Sequence, residues 1–262
     1  MDGYRYNNMT YFNTNPRPNF WRAPTDNDFG NNMVKKCNVW RTAGENTSLK
    51  NITGKEVDGK AVVTADIFLK DVASDYQIIY FLNGDGALAV NVTYKAGSNE
   101  LPEMPRFGML FTLPKEMDNF SYYGRGPWEN YSDRKFSSFV GEYKLKVSEQ
   151  MMPFVRPQEF GNRTDVRWLT LTDATGQGIR VEGLQPLSVS ALNNRPEDFD
   201  PGLTKKQQHP KDVFKRFNVT LAVDLVQRGV GGDNSWGALP HQPFRLLDKT
   251  YKYGFVISPV DL

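Results

Sequence analysis

Asp26, Asn27 and Asp28 stand between Thr25 and Gly30, in a block that also holds Phe20, Trp21, Arg22 and Pro24. Two large aromatics, an arginine, a proline and two aspartates beside a glycine suit a rigid loop that presents polar groups. Such carboxylates can cap nearby backbone as Asx turns, or they can ligate a cation. Calcium asks for roughly 6 to 8 oxygen ligands, and Asp26 and Asp28 come without further spaced oxygens. His209 and His241 are distant in sequence and have no companion ligands of the kind zinc requires, so no metal is assigned. Trp236 sits among Gly231, Gly232, Asp233, Asn234, Ser235 and Gly237. By spacing alone this suits a core tryptophan beside a turn, and an indole left exposed there would offer a flat apolar face with polar neighbours.

The elements that must position these residues read as strands. Apolar runs alternate with glycine, proline and asparagine punctuation, the pattern of antiparallel sheets. Ala61 to Leu69, Tyr76 to Leu82 and Ala87 to Tyr94 read as consecutive strands, with Asn83-Gly84-Asp85-Gly86 as a hairpin turn between the last two. Further strands are predicted at Phe107 to Leu113, Val166 to Thr172, Gly178 to Glu182, Leu187 to Ala191, Phe217 to Val226 and Tyr251 to Ile257. In Phe217 to Val226, Val219, Leu221, Val223 and Leu225 alternate with Asn218, Thr220, Ala222 and Asp224, giving one inward and one outward face. Short helical turns are placed near Asn31 to Trp40 and Pro201 to Gln208. The fold class is therefore all-β, with two large packed sheets, and no repeat or low-complexity segment marks a second domain.

Composition narrows the function. The 262 residues carry 32 basic and 30 acidic side chains, a net charge of +2, which argues against nucleic acid or another generic polyanion as partner, because counterion-driven binding needs clustered positive charge. The basic stretch from Lys205 to Arg216 is interrupted by Pro210 and Asp212 and reads as a solvated loop. Cys37 is the single cysteine and reads as a packed bystander. No run of ~18 apolar residues suggests a membrane span, and Met1 to Tyr6 has neither the basic start nor the apolar core of a signal peptide; any such signal would belong to a preceding segment.

The block Asn19-Phe20-Trp21-Arg22-Ala23-Pro24-Thr25-Asp26-Asn27-Asp28-Phe29-Gly30 is followed in order by three others. These are Tyr123-Gly124-Arg125-Gly126-Pro127-Trp128-Glu129-Asn130-Tyr131-Ser132-Asp133-Arg134, then Arg156-Pro157-Gln158-Glu159-Phe160-Gly161-Asn162-Arg163, then Gly231-Gly232-Asp233-Asn234-Ser235-Trp236. The ordered set resembles the C-terminal, small-chain domain of glycoside hydrolase family 2, the bacterial β-galactosidases. The resemblance implies a β-supersandwich similar to the galactose mutarotase fold, with a single domain over 19–262 and an incomplete lead-in or first strand over 1–18. It implies that Trp236 crosses a domain boundary to stack on sugar. Asp26, Asn27, Asp28, Gly30, Asp233, Asn234 and Ser235 would form the active-site rim, with a mobile segment beginning at Gly30. Glu129, Asn130, Asp133 and Arg134 would hold the domain together by charge-assisted hydrogen bonds. A retaining glycosidase needs two carboxyl groups roughly 5 to 5.5 Å apart. In this family both glutamates lie in a preceding (β/α)8 barrel, which takes ~200 residues or more of alternating strand and helix. The chain alone is therefore expected to hydrolyse nothing. Implied partners are the remaining domains, a galactoside substrate and further copies in a homo-oligomer; magnesium and sodium would be held by the other domains.

Two other functions fit the composition. An aldose epimerase would need a glutamate base and a histidine acid, and His209 and His241, each beside a proline, stand in no mutarotase-like motif. A non-catalytic carbohydrate-binding or assembly module would draw on the 13% aromatic content, most of which two packed sheets would absorb as core.

Overall fold

The computed structural model describes residues 3–7, 9–12, 14–206, 208–234 and 236–261. Its strands are β1 (Tyr4–Tyr6), β2 (Met9–Phe12), β3 (Arg17–Asn19), β4 (Thr47–Val57), β5 (Lys60–Leu69), β6 (Ser74–Leu82), β7 (Leu88–Lys95), β8 (Arg106–Pro114), β9 (Asn119–Gly126), β10 (Phe139–Lys146), β11 (Arg163–Thr172), β12 (Gln177–Leu192), β13 (Asn218–Gln227) and β14 (Thr250–Asp261). Helix is limited to α1 (Asp26–Gly30), α2 (Met33–Lys36) and short 3₁₀ turns among the described residues. The fold is all-β and antiparallel, as the alternating pattern predicts.

The two predicted sheets are layers of one 12-stranded sheet that forks at β12. The segments predicted as separate strands at Gly178 to Glu182 and Leu187 to Ala191 are the two halves of β12. Its first half pairs with β14 and leads on through β7, β6, β5 and β4, while its second half pairs with β13 and leads through β8 to β3. The layers face each other across aromatic rings. Phe107 on β8 lies 5.2 Å from Tyr251 and 5.5 Å from Tyr253 on β14, and Phe111 lies 5.9 Å from Phe255. Tyr253 also donates its hydroxyl across the gap to the Val223 carbonyl at 3.0 Å. The β1–β2 hairpin adds Tyr4, Tyr11 and Phe12 to this core, with Phe12 5.5 Å from Phe111.

The prediction missed β1, β2, β3 and β9, although β2 buries Tyr11 and Phe12 and β9 buries Phe120 and Tyr122, and it missed two strands that have no buried apolar face to signal them. β4 is almost wholly exposed and is held by its ladder to β5; β10 is a half-exposed edge strand on β9. The helical turn near Asn31 to Trp40 is present as α2 and a 3₁₀ turn at Asn38–Trp40. The one placed at Pro201 to Gln208 is absent from the described residues of that span, and Gln207 lies outside them. Turns form on either side instead, at Pro196–Phe199 and Pro210–Asp212, where proline opens the turn and an aspartate three residues after the cap accepts from the cap backbone. Gly202, at φ 95°, interrupts the span between them.

β8 and β13 are buried on both faces. One face joins the aromatic core; the other carries Arg106 and Asp224 and is covered by irregular chain that contains the sequence blocks described above. That covered face positions the site.

Candidate functional site

Arg106 and Asp224 form the floor, with Arg106 Nε donating to Asp224 Oδ2 at 2.7 Å. Asp224 pairs with Gly108 on β8, and a side chain there would run into the carboxylate. Burial pushes the Asp224 carboxyl up to about 7 against the opposing pull of Arg106. Glu159 lies beside them, 3.8 Å from Arg106. Burial raises its carboxyl too, despite Arg106 and Arg22. Tyr131 is fully enclosed here, so burial and then Glu159 hold its phenol well above the ordinary range.

A second buried cluster is built on Asp28. Thr25 caps α1 by accepting from the Asp28 amide at 3.2 Å, and Asp28 accepts from the Thr25 amide at 3.0 Å, completing a capping box. The same carboxylate takes Arg22 at 2.8 Å and Arg228 at 2.9 Å. Arg228 also meets Glu103 at 3.2 Å, which Arg245 reaches at 2.7 Å. Arg22 donates further to the carbonyls of Arg228 and Gly229. One aspartate thereby ties the first block to the segment leading into the fourth.

The remaining blocks close on this pair. Asp133 accepts from the amides of Val230 at 3.1 Å and Gly231 at 2.8 Å, and a Cβ at Gly229 would come within 2.5 Å of the same carboxylate. Asn130 accepts from Thr164 and donates to the carbonyls of Arg125 and Trp128, while Asn162 donates to the Asn130 carbonyl at 2.8 Å. Glu129 accepts from the Gly161 amide at 2.8 Å. Buried Asn130 and part-buried Asp133 hold backbone, whereas Arg134 stays 60% exposed and pairs with Glu129 at 3.2 Å.

The outer residues sit on this frame. Asp26 faces outward to Arg156 at 3.0 Å and Lys205 at 2.7 Å. Partial burial opposes its ionisation, but Lys205 and Arg156 outweigh it and keep the carboxyl below its usual value. Asn27 donates to the Val230 carbonyl at 3.0 Å. Gly30 ends α1, and its carbonyl lies 3.2 Å from where a Cβ of Gly237 would stand; Gly237 has φ 118°. Only glycine combines that conformation with that approach. The turn that follows Trp236 is therefore seated against the end of α1, while Trp236 itself is 92% exposed. Asn234 Oδ1 accepts from the Trp236 amide at 2.9 Å and the Ala238 amide at 3.4 Å. Asp233 closes the loop on His241 at 2.7 Å. Ser235 lies outside the described residues.

The structure thus brings Asp26, Asn27, Gly30, Asp233, Asn234 and Trp236 to one corner and places Asp28 beneath them. Asp26 and Asp28 are committed to different cations on opposite sides of α1, which does not fit a shared metal. Among the described residues no group of three His, Cys, Asp or Glu side chains gathers to hold an ion. Arg106, Asp224, Glu103 and Arg228 escape sequence reasoning because they are scattered, in or beside strands. His241 is missed because its partnership with Asp233 exists only once the loop turns back. Among the described residues no helix is long and apolar enough to cross a membrane.

Comparison with known proteins identifies the family. The family model for the β-galactosidase small chain matches residues 1–257. A β-galactosidase of Priestia megaterium is 35% identical over 98% of this chain and 24% of its own length. That of Lactobacillus delbrueckii subsp. bulgaricus is 34% identical over 98% of this chain and 25% of its own. The chain thus spans about a quarter of the length of these curated relatives. Among solved structures, a galactose 1-epimerase from Lactobacillus acidophilus aligns with TM-score 0.48 at 8% identity, covering 80% of this chain and 66% of the epimerase. With the match running through all four blocks that build the corner, the chain belongs to the β-galactosidase small-chain family.

Proposed function

We propose that this chain is the C-terminal domain of a β-galactosidase that hydrolyses terminal β-D-galactosides with retention, and that it supplies one wall of an active site whose two catalytic glutamates lie in another part of the enzyme. The observation that carries the reading is Trp236. It is a large apolar side chain left almost fully exposed, while its backbone is fixed by Asn234, Gly237 and the end of α1. A tryptophan whose side chain is left this exposed among the described residues, on an anchored backbone, is suited to receive a ligand.

In this reading the indole covers the apolar face of the galactosyl ring, excludes water from it and orients the glycosidic bond. The segment from Asp26 to Gly30, with Asp233, Asn234 and Ser235, forms the rim. Magnesium and sodium belong to the other domains, since the side chains of this corner are already paired with one another. Covering one indole face buries on the order of 100 Å², worth up to about 2.5 kcal/mol at ~25 cal/mol/Å².

The test is hydrolysis of a chromogenic β-galactoside by the separately produced upstream portion, with and without this chain. The chain alone should be inactive, the pair active, and Trp236→Ala should lower kcat/KM by up to some fifty-fold with unchanged folding. Equal activity with the variant would remove Trp236 from the site. No restoration, with both pieces folded and associated, would favour a binding or assembly module.

A further inference from the structure

Residues of the first three sequence blocks also line a polar pocket of about 180 Å³ that the role of Trp236 leaves unexplained. Asp26 and Asn27 come from the first block, Glu129, Tyr131 and Arg134 from the second, Gln158 and Glu159 from the third, and Val230 from the approach to the fourth; Phe154 adds an apolar wall. That space is many times the roughly 10–15 Å³ that a single water needs on the same measure, enough for a small organic molecule.

The chemistry of the lining selects the ligand. Three carboxylates and the oxygens of two side-chain amides, Asn27 and Gln158, make the pocket rich in acceptors, which disfavours an anion. The acids are balanced by cations around them: Asp26 by Arg156 and Lys205, Glu129 by Arg134, and Glu159 by Arg106 at longer range, so a cation gains little. A second observation concerns its buried side. Glu159 and Tyr131 line the pocket and are more than nine-tenths buried, and the hydroxyl of Tyr131 is left unsatisfied. Glu159 reaches Gln227 only at 3.4 Å, and the Tyr131 hydroxyl has no hydrogen-bond partner among the described residues. Buried polar groups are ordinarily hydrogen-bonded.

We propose that this pocket binds a neutral polyhydroxylated molecule no larger than a hexose, at a site distinct from the face of Trp236. Its hydroxyls donate to Glu129, Asp26 and Gln158 and accept from Arg134, while carbon-bound hydrogens pack on Phe154. The proposal does not depend on the catalytic reading, because the pocket is formed within this chain.

The experiment is ligand-observed NMR titration of D-galactose into the full 262-residue chain. The expected result is saturable binding that Arg134→Ala weakens about ten-fold, as loss of a hydrogen bond from a charged group should, and that Trp236→Ala leaves unchanged. Arg134 is exposed, so its variant should keep the wild-type Tm; Gln158→Ala serves as a second probe of the same wall. Absence of saturation would overturn the proposal. So would loss of binding in Trp236→Ala with retention in Arg134→Ala, which would assign the sugar to the exposed indole. Displacement of galactose by ammonium or magnesium chloride beyond that by sodium chloride at equal ionic strength would mark a cation site and overturn the polyol assignment.

Discussion

β8 has two faces, and they are stabilised by different physics. The inner face sets Phe107, Met109 and Phe111 against the rings of β14, where contact is spread over many apolar atoms. The outer face sets Arg106 against Asp224, with the cluster of Asp28, Arg22 and Arg228 close by. Apolar contact is non-directional, so a similar volume in the same place largely restores it. Buried ion pairs depend on each partner: removing one leaves its counterion desolvated and alone. The aromatic layers thus make the fold tolerant, while the charged corner fixes one arrangement of the four blocks. On the proposed function, a loop that is to present a single tryptophan to another domain would require that fixed arrangement.

The comparison breaks most sharply at Asp28. Asp28→Asn keeps the shape and removes the charge shared by Arg22 and Arg228, so a loss of about 3–5 kcal/mol is expected, read as a drop in the urea midpoint. If Asp28→Asn were as stable as wild type, the corner would be held by packing alone and the contrast would fail.

Asp224 offers a test through pH. Its carboxyl is pushed up to about 7 in the folded chain, above the ordinary ~3.9 of an unfolded aspartate. Folding therefore takes up a proton between those values. The stability contributed by protonated Asp224 is fully present below about pH 4 and is lost as pH rises through about 7. A shift of about three units is worth on the order of 2–4 kcal/mol across that window. Asp224→Asn should gain relative to wild type between pH 5 and pH 8. A residual slope from Glu159, raised in the same direction, should persist in the variant. Parallel stability curves for the two proteins would mean that Asp224 stays ionised throughout.

On the inner face the expected loss is smaller. Met109 is fully buried in the core, and Met109→Leu conserves volume, so it should cost less than about 1.5 kcal/mol by the same urea measurement. A larger cost would mean that the aromatic layers are as exacting as the charged corner.

The two faces also differ in how legible they were. The apolar alternation of Val219, Leu221 and Val223 marked β13 because burial against one layer imposes period two. β4 gave no such signal, since neither of its faces is buried. The Thr25 and Asp28 capping box was within reach of the Asx reading of that block, because it is local in sequence. The pairing of Asp28 with Arg228, separated by 200 residues, was not: charge partners carry no periodicity, and only the folded chain shows which of 32 basic residues meets which of 30 acids. Trp236 illustrates the same divide. Its residue type and glycine neighbours alone favoured a core position beside a turn, and it was the resemblance that favoured the sugar platform.

The smallest effect on stability is expected where the corner reaches solvent. His241 and Asp233 are paired at 2.7 Å with most of both side chains exposed. Such a pair contributes about 0–1 kcal/mol to folding, so His241→Ala should barely move the urea midpoint. On the proposed function the pair would have a different task in the reconstituted enzyme, because it closes the loop whose tip carries Trp236. His241→Ala is expected to lower kcat/KM two- to five-fold, mainly through KM, and His241→Gln, which can still donate to Asp233, should recover part of the loss. If His241 acts only by positioning the indole, His241→Ala should have no further effect in a Trp236→Ala background, and the coupling in the double-mutant cycle should equal its whole single-variant effect. An equal loss in both backgrounds would instead place His241 in contact with substrate or with the partner domain, and the rigid corner beneath it would no longer account for the presentation of Trp236.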